Sequence, residues 1–179
     1  MTVPAGVPDP GVPDPGVPDA AVARPVAGPS ELDTVLALRH AVFVVEQGVP
    51  AELERDEHDV AAEHVLAELD GAVVATGRLV VEPPGYGGLP AERGPVAHLG
   101  RIAVAPAARG RGLGAAVVRA LEARAGVRGL TLAYLAAQVP AVGLYARLGY
   151  TAFGPEFDDA GLPHRHMWRA FDPPDEEHR

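Results

Sequence analysis

Arg109-Gly110-Arg111-Gly112-Leu113-Gly114 lies between an apolar run, Leu99 to Ala105, and a run that reads as a helix, Ala115 to Ala125. Three glycines within five residues let backbone amides turn toward one point with no side chain in the way. The head of a helix adds unpaired N–H groups and the positive end of its dipole. Two arginines add charge. The stretch predicts a phosphate cradle where a strand hands over to the main helix.

Other glycine loops fit less well. A Walker loop needs a lysine after its last glycine, and this chain has none: its 15 Lys-plus-Arg residues are all arginine. Gly110, Gly112 and Ala115 match G-x-G-x-x-A. A dinucleotide fingerprint, however, belongs in a first βαβ unit with an acidic residue about 20 positions on. The next strand candidate, Leu130 to Ala136, ends in alanines and glutamine.

With 179 residues, the chain is long enough for one domain with a real core. Its 47% hydrophobic and 22% charged residues are globular values. The absence of cysteine rules out a disulfide framework, a thiolate metal site and a cysteine nucleophile, and suits a reducing cytoplasm. A net charge of −9 argues against nucleic acid as a partner, which needs a basic face. The longest uncharged run, Gly129 to Ala146, carries Gln138, Pro140 and Gly143, so no membrane span is expected. No basic stretch followed by an apolar one marks a secretory signal. Lysine and asparagine are missing and isoleucine occurs once, a usage expected of a GC-rich bacterial genome.

Residues 6 to 20 read GVPDP GVPDP GVPDA, a proline-punctuated repeat without aromatics, so residues 1–20 are expected to be a disordered tail. Residues 21–171 read as one domain, and 172–179 as a flexible polar tail. Within the domain, Val22 to Ala27 suggests a short strand. Ser30 is placed to cap a helix reaching about Val44. An acidic loop spans Gly48 to Ala62. His64 to Leu69 and Ala72 to Val81 form a hairpin about Asp70-Gly71, and Gly85 to Pro95 is a Gly/Pro-rich loop. Ala97 to Ala105 is the strand before the cradle. Leu130 to Ala136 is a further strand, Pro140 to Leu148 a short helix, and Tyr150 to Phe153 and His164 to Ala170 a closing pair around a longer loop. The order is α/β, a meander first and a crossover helix later.

Arg109, Gly112 and Gly114 occupy the defining positions of [QR]-x-x-G-x-[GA]. Downstream, Ala141-Val142-Gly143-Leu144-Tyr145-Ala146-Arg147-Leu148-Gly149-Tyr150 follows A-x-x-[FL]-Y-x-x-x-G-[FY]. Together these blocks resemble the GNAT N-acetyltransferase superfamily, over roughly residues 22 to 170. Leu38 to Gln47, Glu54 to Asp59, Ala137-Gln138 and Phe157 to His164 resemble its ElaA-like branch. The set Arg39, Phe43, Glu54, Asp56 and Asp59 is also similar to acyl-homoserine-lactone synthases, which share the fold but lack a good RGxGxG loop.

The resemblance implies a GNAT acyltransferase fold, a mixed central sheet of about six to seven strands with flanking helices. It implies acetyl-CoA as co-substrate. The pyrophosphate would rest on amides of Arg109, Gly110, Arg111, Gly112, Leu113 and Gly114. The pantetheine arm would lie along Ile102, Ala103 and Val104 like an added strand, with Gln138 also at the coenzyme. A strand N–H would polarise the thioester carbonyl. Tyr145 would protonate the leaving thiolate, a task suited to a phenol that holds its proton at neutral pH.

The acceptor would be an amine of a small molecule or peptide, attacking the thioester directly. Dimers are common among similar proteins, so a homodimer fits. The motif does not fix the base. Glu46, Glu63, His64, His98 and His166 are candidates, and Arg39, Glu46, His64 and His98 are placed at the substrate. His164 and His166 alternate on one strand face, but without a third ligand no metal is expected. The seven carboxylates from Glu46 to Glu63 read either as a solvated loop or as a mouth for a cationic amine. Arg39 is positioned to hold part of that cluster by a bidentate pair. Two other functions remain open: an acyltransferase of the homoserine-lactone type, and a non-catalytic CoA-binding module.

Overall fold

The computed structural model describes residues 22–171. Both tail expectations fall on residues outside these. Seven strands form one sheet in the order β1-β2-β3-β4-β5-β7-β6. They are β1 (Ala23–Pro25), β2 (Glu63–Leu69), β3 (Ala72–Glu82), β4 (Val96–Val104), β5 (Leu132–Gln138), β6 (Thr151–Asp159) and β7 (Leu162–Ala170). Neighbours are antiparallel except β4 and β5, which run parallel. The α-helices are α1 (Pro29–Arg39), α2 (Ala51–Glu54), α3 (Leu113–Val127) and α4 (Val142–Arg147).

Alternation along β2 shows that the sheet is covered on both faces. Val65 and Leu66 are successive residues, point oppositely, and are both fully buried. Val65 and Ala67 join Val117, Val118 and Leu121 of α3 in the main core. Val117, Val118, Leu121 and Ala125 recur at helical spacing, which is why this stretch is an amphipathic helix and not another strand. α1 lies against β3.

The β3–β4 ladder carries a bulge. Thr76 pairs with Ala103 and Arg78 with Gly100, so Arg101 and Ile102 together face Gly77. Arg101 adopts φ 52°, a left-handed conformation rare for a non-glycine residue. Gly77 is the floor under this bulge. A Cβ there would stand 2.6 Å from Val117 Cγ1 and 2.9 Å from Leu121 Cδ1. Gly77→Ala is therefore expected to push α3 off the sheet and to lower stability by about 1–3 kcal/mol, read by urea unfolding.

Three boundary expectations are corrected. Ser30 is not the helix cap. α1 starts at Pro29 behind Gly28, since proline's fixed φ suits the first helical position, and the Ser30 carbonyl accepts from Thr34 Oγ1 at 3.0 Å. The helix then continues past Val44, as π-turns over His40–Glu46. The closing strands are a long hairpin and not a short pair around a loop. Gly154 and Pro155 look like loop but sit in a bulge, where the register shifts between Phe153 and Phe157. The turn at Ala160-Gly161 has positive φ at both residues. No helix among the described residues is long and apolar enough to cross a membrane.

Candidate active site

The parallel strands β4 and β5 pair only at Ala97–Ala133 and His98–Tyr134. Beyond those two positions β4 has a partner on one side only, β3. Ala105 N–H donates to Val74 C=O at 2.8 Å. Alternation along an antiparallel ladder then turns Ala103 toward β3, and the backbone groups of Ile102 and Val104 toward the unpaired side. Of the three residues expected to bond the pantetheine arm, Ile102 and Val104 present backbone there. Ala103 is directed away, and its side chain is buried.

The glycine turn stands at the end of this edge. Gly110 and Gly112 have φ of 75° and 77°, and Gly112 precedes α3. A Cβ on either would meet nothing within 4 Å, so the space above the turn is open, not packed with side chains. Gly114 is closer to its surroundings, with Leu144 Cδ2 3.4 Å from a notional Cβ. Leu113 is buried and anchors the helix start in the core. Arg109 reaches back, Nε donating to Val104 C=O at 3.1 Å and the two terminal nitrogens to Glu46 at 2.7 and 2.8 Å. Arg111 is exposed. The turn has the shape and polarity of an anion cradle.

Between the separating strands lies a cavity of about 400 Å³. Ile102, Gln138, Tyr145, His98 and His166 line it, as does Tyr86 from the loop after β3. Gln138 donates to Gln47 Oε1 at 2.8 Å, tying β5 to the end of the first helix. Tyr145 comes from α4 and packs edge-on against Tyr150, with centroids 6.1 Å apart. Burial pushes its phenol up to about 12, so it is protonated at any physiological pH.

Four expected substrate or base residues are not in the cavity wall. Arg39 is fully buried, with Nε 2.5 Å from Glu54 and its two terminal nitrogens on Asp59 at 2.6 and 3.1 Å. Glu46 is held by Arg109, whose hydrogen bonds lower its pKa. Glu63 accepts from Arg124 at 2.5 Å and from Arg128, both on or just past α3. His64 is buried, with Nε2 3.0 Å from the Asp59 carbonyl. Burial lowers its pKa.

Of the acidic segment, Glu54, Asp56 and Asp59 are paired with arginines. Arg78 takes Asp56 at 2.6 and 2.9 Å and Asp59 at 2.7 Å, while Arg101 donates to the carbonyls of Glu54 and Leu53 and to Asp56. These carboxylates are matched by Arg39, Arg78 and Arg101. The cluster pins the side chain of the bulge residue, and Leu53, Glu54 and Arg101 are part of the cavity wall.

Burial alone would raise the pKa of Asp59, but hydrogen bonds from Arg39 and Arg78 overcome it and hold the carboxyl well below the usual carboxylate range. A depressed folded-state pKa gives stability that is full above the unfolded value, about 3.9, and lost as pH falls below it. Melting temperature should therefore drop steeply below about pH 4 in the wild type and less steeply in Asp59→Asn. At neutral pH that variant should lose about 3–5 kcal/mol, since Arg39 and Arg78 are left buried and under-matched.

Arg101, Glu82 and Tyr134 were not singled out from sequence. No local pattern marks Arg101 as left-handed. Glu82, at the end of β3, gains meaning only through register, which sets it near His98, with Nδ1 3.1 Å from Oε1.

The arrangement combines an open strand edge, a glycine turn at its end and a buried phenol beside it. The chain belongs to the acetyltransferase (GNAT) family, whose model matches residues 33–150. It is 36% identical over 140 residues to YjcF of Bacillus subtilis (strain 168), named an uncharacterized N-acetyltransferase, a match spanning 78% of this chain and 92% of that one. Among solved structures, an acyl-CoA N-acyltransferase from Pseudomonas aeruginosa matches with TM-score 0.67 at 32% identity, over 83% of this chain and 98% of that one. Escherichia coli ElaA also matches with TM-score 0.67, at 26% identity, over 83% and 99%.

Proposed function

We propose that this protein transfers an acetyl group from acetyl-CoA to an amine of a small molecule or peptide. The observation that carries the proposal is the one-sided strand edge of β4, which runs from the Arg101 bulge to the glycine turn and passes Tyr145. An extended amide-bearing arm adds to such an edge by backbone hydrogen bonds. Its diphosphate then reaches the amides of residues 110 to 114 at the head of α3. Ile102 and Val104 supply backbone groups to the arm, and Arg111 adds charge.

The amine attacks the thioester carbonyl directly, and no enzyme nucleophile is required. Backbone N–H at the bulge stabilises the oxygen as charge grows on it. Tyr145 gives its proton to the departing thiolate. A cytoplasmic setting fits a chain without cysteine.

Calorimetry with acetyl-CoA and the full chain tests this reading. One-to-one binding in the micromolar range is expected, with thiol release when an accepted amine is added. Absence of binding would overturn it.

A further inference from the structure

Among the described residues, His98 is the cavity histidine paired with a carboxylate. Its Nδ1 lies 3.1 Å from Glu82 Oε1. A carboxylate at Nδ1 fixes that nitrogen as the donor and leaves Nε2 as the acceptor. Nε2 is directed along β4 toward Gly100, where a Cβ would stand 4.0 Å away. Gly100 immediately precedes the bulge. The imidazole lone pair therefore opens onto the stretch of β4 where the thioester carbonyl is bound in the function proposed above.

The space before it has flat walls. Tyr86 is tilted over the His98 ring at 5.2 Å, and Tyr134 meets it edge-on at 5.1 Å. Phe157 stacks on His166 at 4.1 Å across the same cavity. The rival bases are differently engaged. The Tyr134 hydroxyl lies 2.6 Å from His166 Nδ1; a phenol donating there makes Nδ1 the acceptor and leaves the ring proton on Nε2, the reverse of His98, and Glu46 and Glu63 are in ion pairs outside the wall.

The geometry points to His98 as the base that takes the proton of the attacking amine, with Glu82 as its positioning residue, in a space that accepts a primary amine carried on a flat aromatic group. The inference rests on the acetyl-transfer reading. In the step, the amine nitrogen bonds to the thioester carbon and loses one proton to His98 Nε2. The C–S bond breaks, its electron pair goes to sulfur, and sulfur takes the Tyr145 proton. Imidazolium and tyrosinate then exchange protons with water, and the products are the amide and the CoA thiol.

The groups facing His98 are Glu82 and Arg78 from β3, Arg101 on its own strand, Tyr86 from the loop and Tyr134 from β5. Burial lowers its pKa, Glu82 opposes the shift, and Arg78 and Arg101 reinforce it. The imidazole is thus neutral and ready to accept near neutral pH.

The test uses the full chain, saturating acetyl-CoA and 2-phenylethylamine. His98→Gln is expected to lower kcat about 100-fold while acetyl-CoA affinity by calorimetry stays unchanged. Gly100→Leu, which covers Nε2 at a position of ordinary backbone conformation, should mimic it and replaces it if His98→Gln does not fold. Glu82→Gln should move the acidic limb of kcat/KM to lower pH, because losing the carboxylate favours neutral imidazole. A merely structural role would scale the profile without moving it. Full activity in His98→Gln, an unmoved limb in Glu82→Gln, or a wild type that binds acetyl-CoA yet leaves 2-phenylethylamine untouched would overturn the inference. A wild type that does not bind acetyl-CoA would instead overturn the acetyl-transfer reading.

Discussion

Gly112→Glu is expected to weaken acetyl-CoA binding more than about 100-fold, the largest effect on coenzyme affinity of any change described. Two causes add. At φ 77° a side chain carries a strain of about 1–2 kcal/mol, which shifts the turn. The carboxylate then stands at the head of α3, where the amides and the dipole would hold diphosphate, and it occupies the site with the wrong partner for an anion. The same charge suits a helix N-terminus, so the domain should stay folded, with a melting temperature within a few degrees of wild type. Calorimetry and thermal denaturation on one preparation separate the outcomes. Unchanged affinity would move the diphosphate away from this turn.

Tyr145→Phe is expected to reduce kcat by about 1,000-fold and to leave acetyl-CoA affinity unaltered. Phenylalanine keeps the edge-on packing with Tyr150, so neither the cavity nor α4 should change shape. Only the proton for the leaving thiolate is lost. Since burial holds the phenol at about 12, the wild-type rate should show no alkaline fall through the ordinary tyrosine range, near pH 10. Wild-type turnover in Tyr145→Phe would make this residue a packing aromatic and leave thiolate departure to water.

The glycine turn before α3 and the placement of Tyr145 on a short helix were legible because each is a local pattern. A glycine turn before a helix is written in consecutive residues, and so is the block from Ala141 to Tyr150. The β2–β3 hairpin was legible for the same reason, with Asp70-Gly71 supplying two positive-φ positions. The ion-pair cluster was half legible. Arg39 and its carboxylates could be grouped, but their burial depends on Arg78 and Arg101 arriving from other strands. That non-local charge balance makes the carboxylates of Glu54, Asp56 and Asp59 part of an ion-paired brace, which neither the solvated-loop nor the amine-mouth reading of the segment contained.

Register decided the remainder. The bulge at Arg101 exists because two residues of β4 oppose Gly77, and Gly77 is required by the nearness of Val117 and Leu121. Nothing within a window of β4 itself announces it. The Glu82–His98 pair likewise needs β3 and β4 aligned with Val80 opposite His98. In the closing hairpin Gly154-Pro155 signals a loop, whereas β6 absorbs both residues in a bulge and continues.

A crystal structure with bound coenzyme A tests the central claim most directly. The account predicts the diphosphate on the amides of residues 110 to 114 and the pantetheine arm hydrogen-bonded to Ile102 and Val104 along the unpaired edge of β4, with sulfur near the Tyr145 hydroxyl. Coenzyme lodged elsewhere, or β4 and β5 closed against each other with the turn vacant, would contradict it.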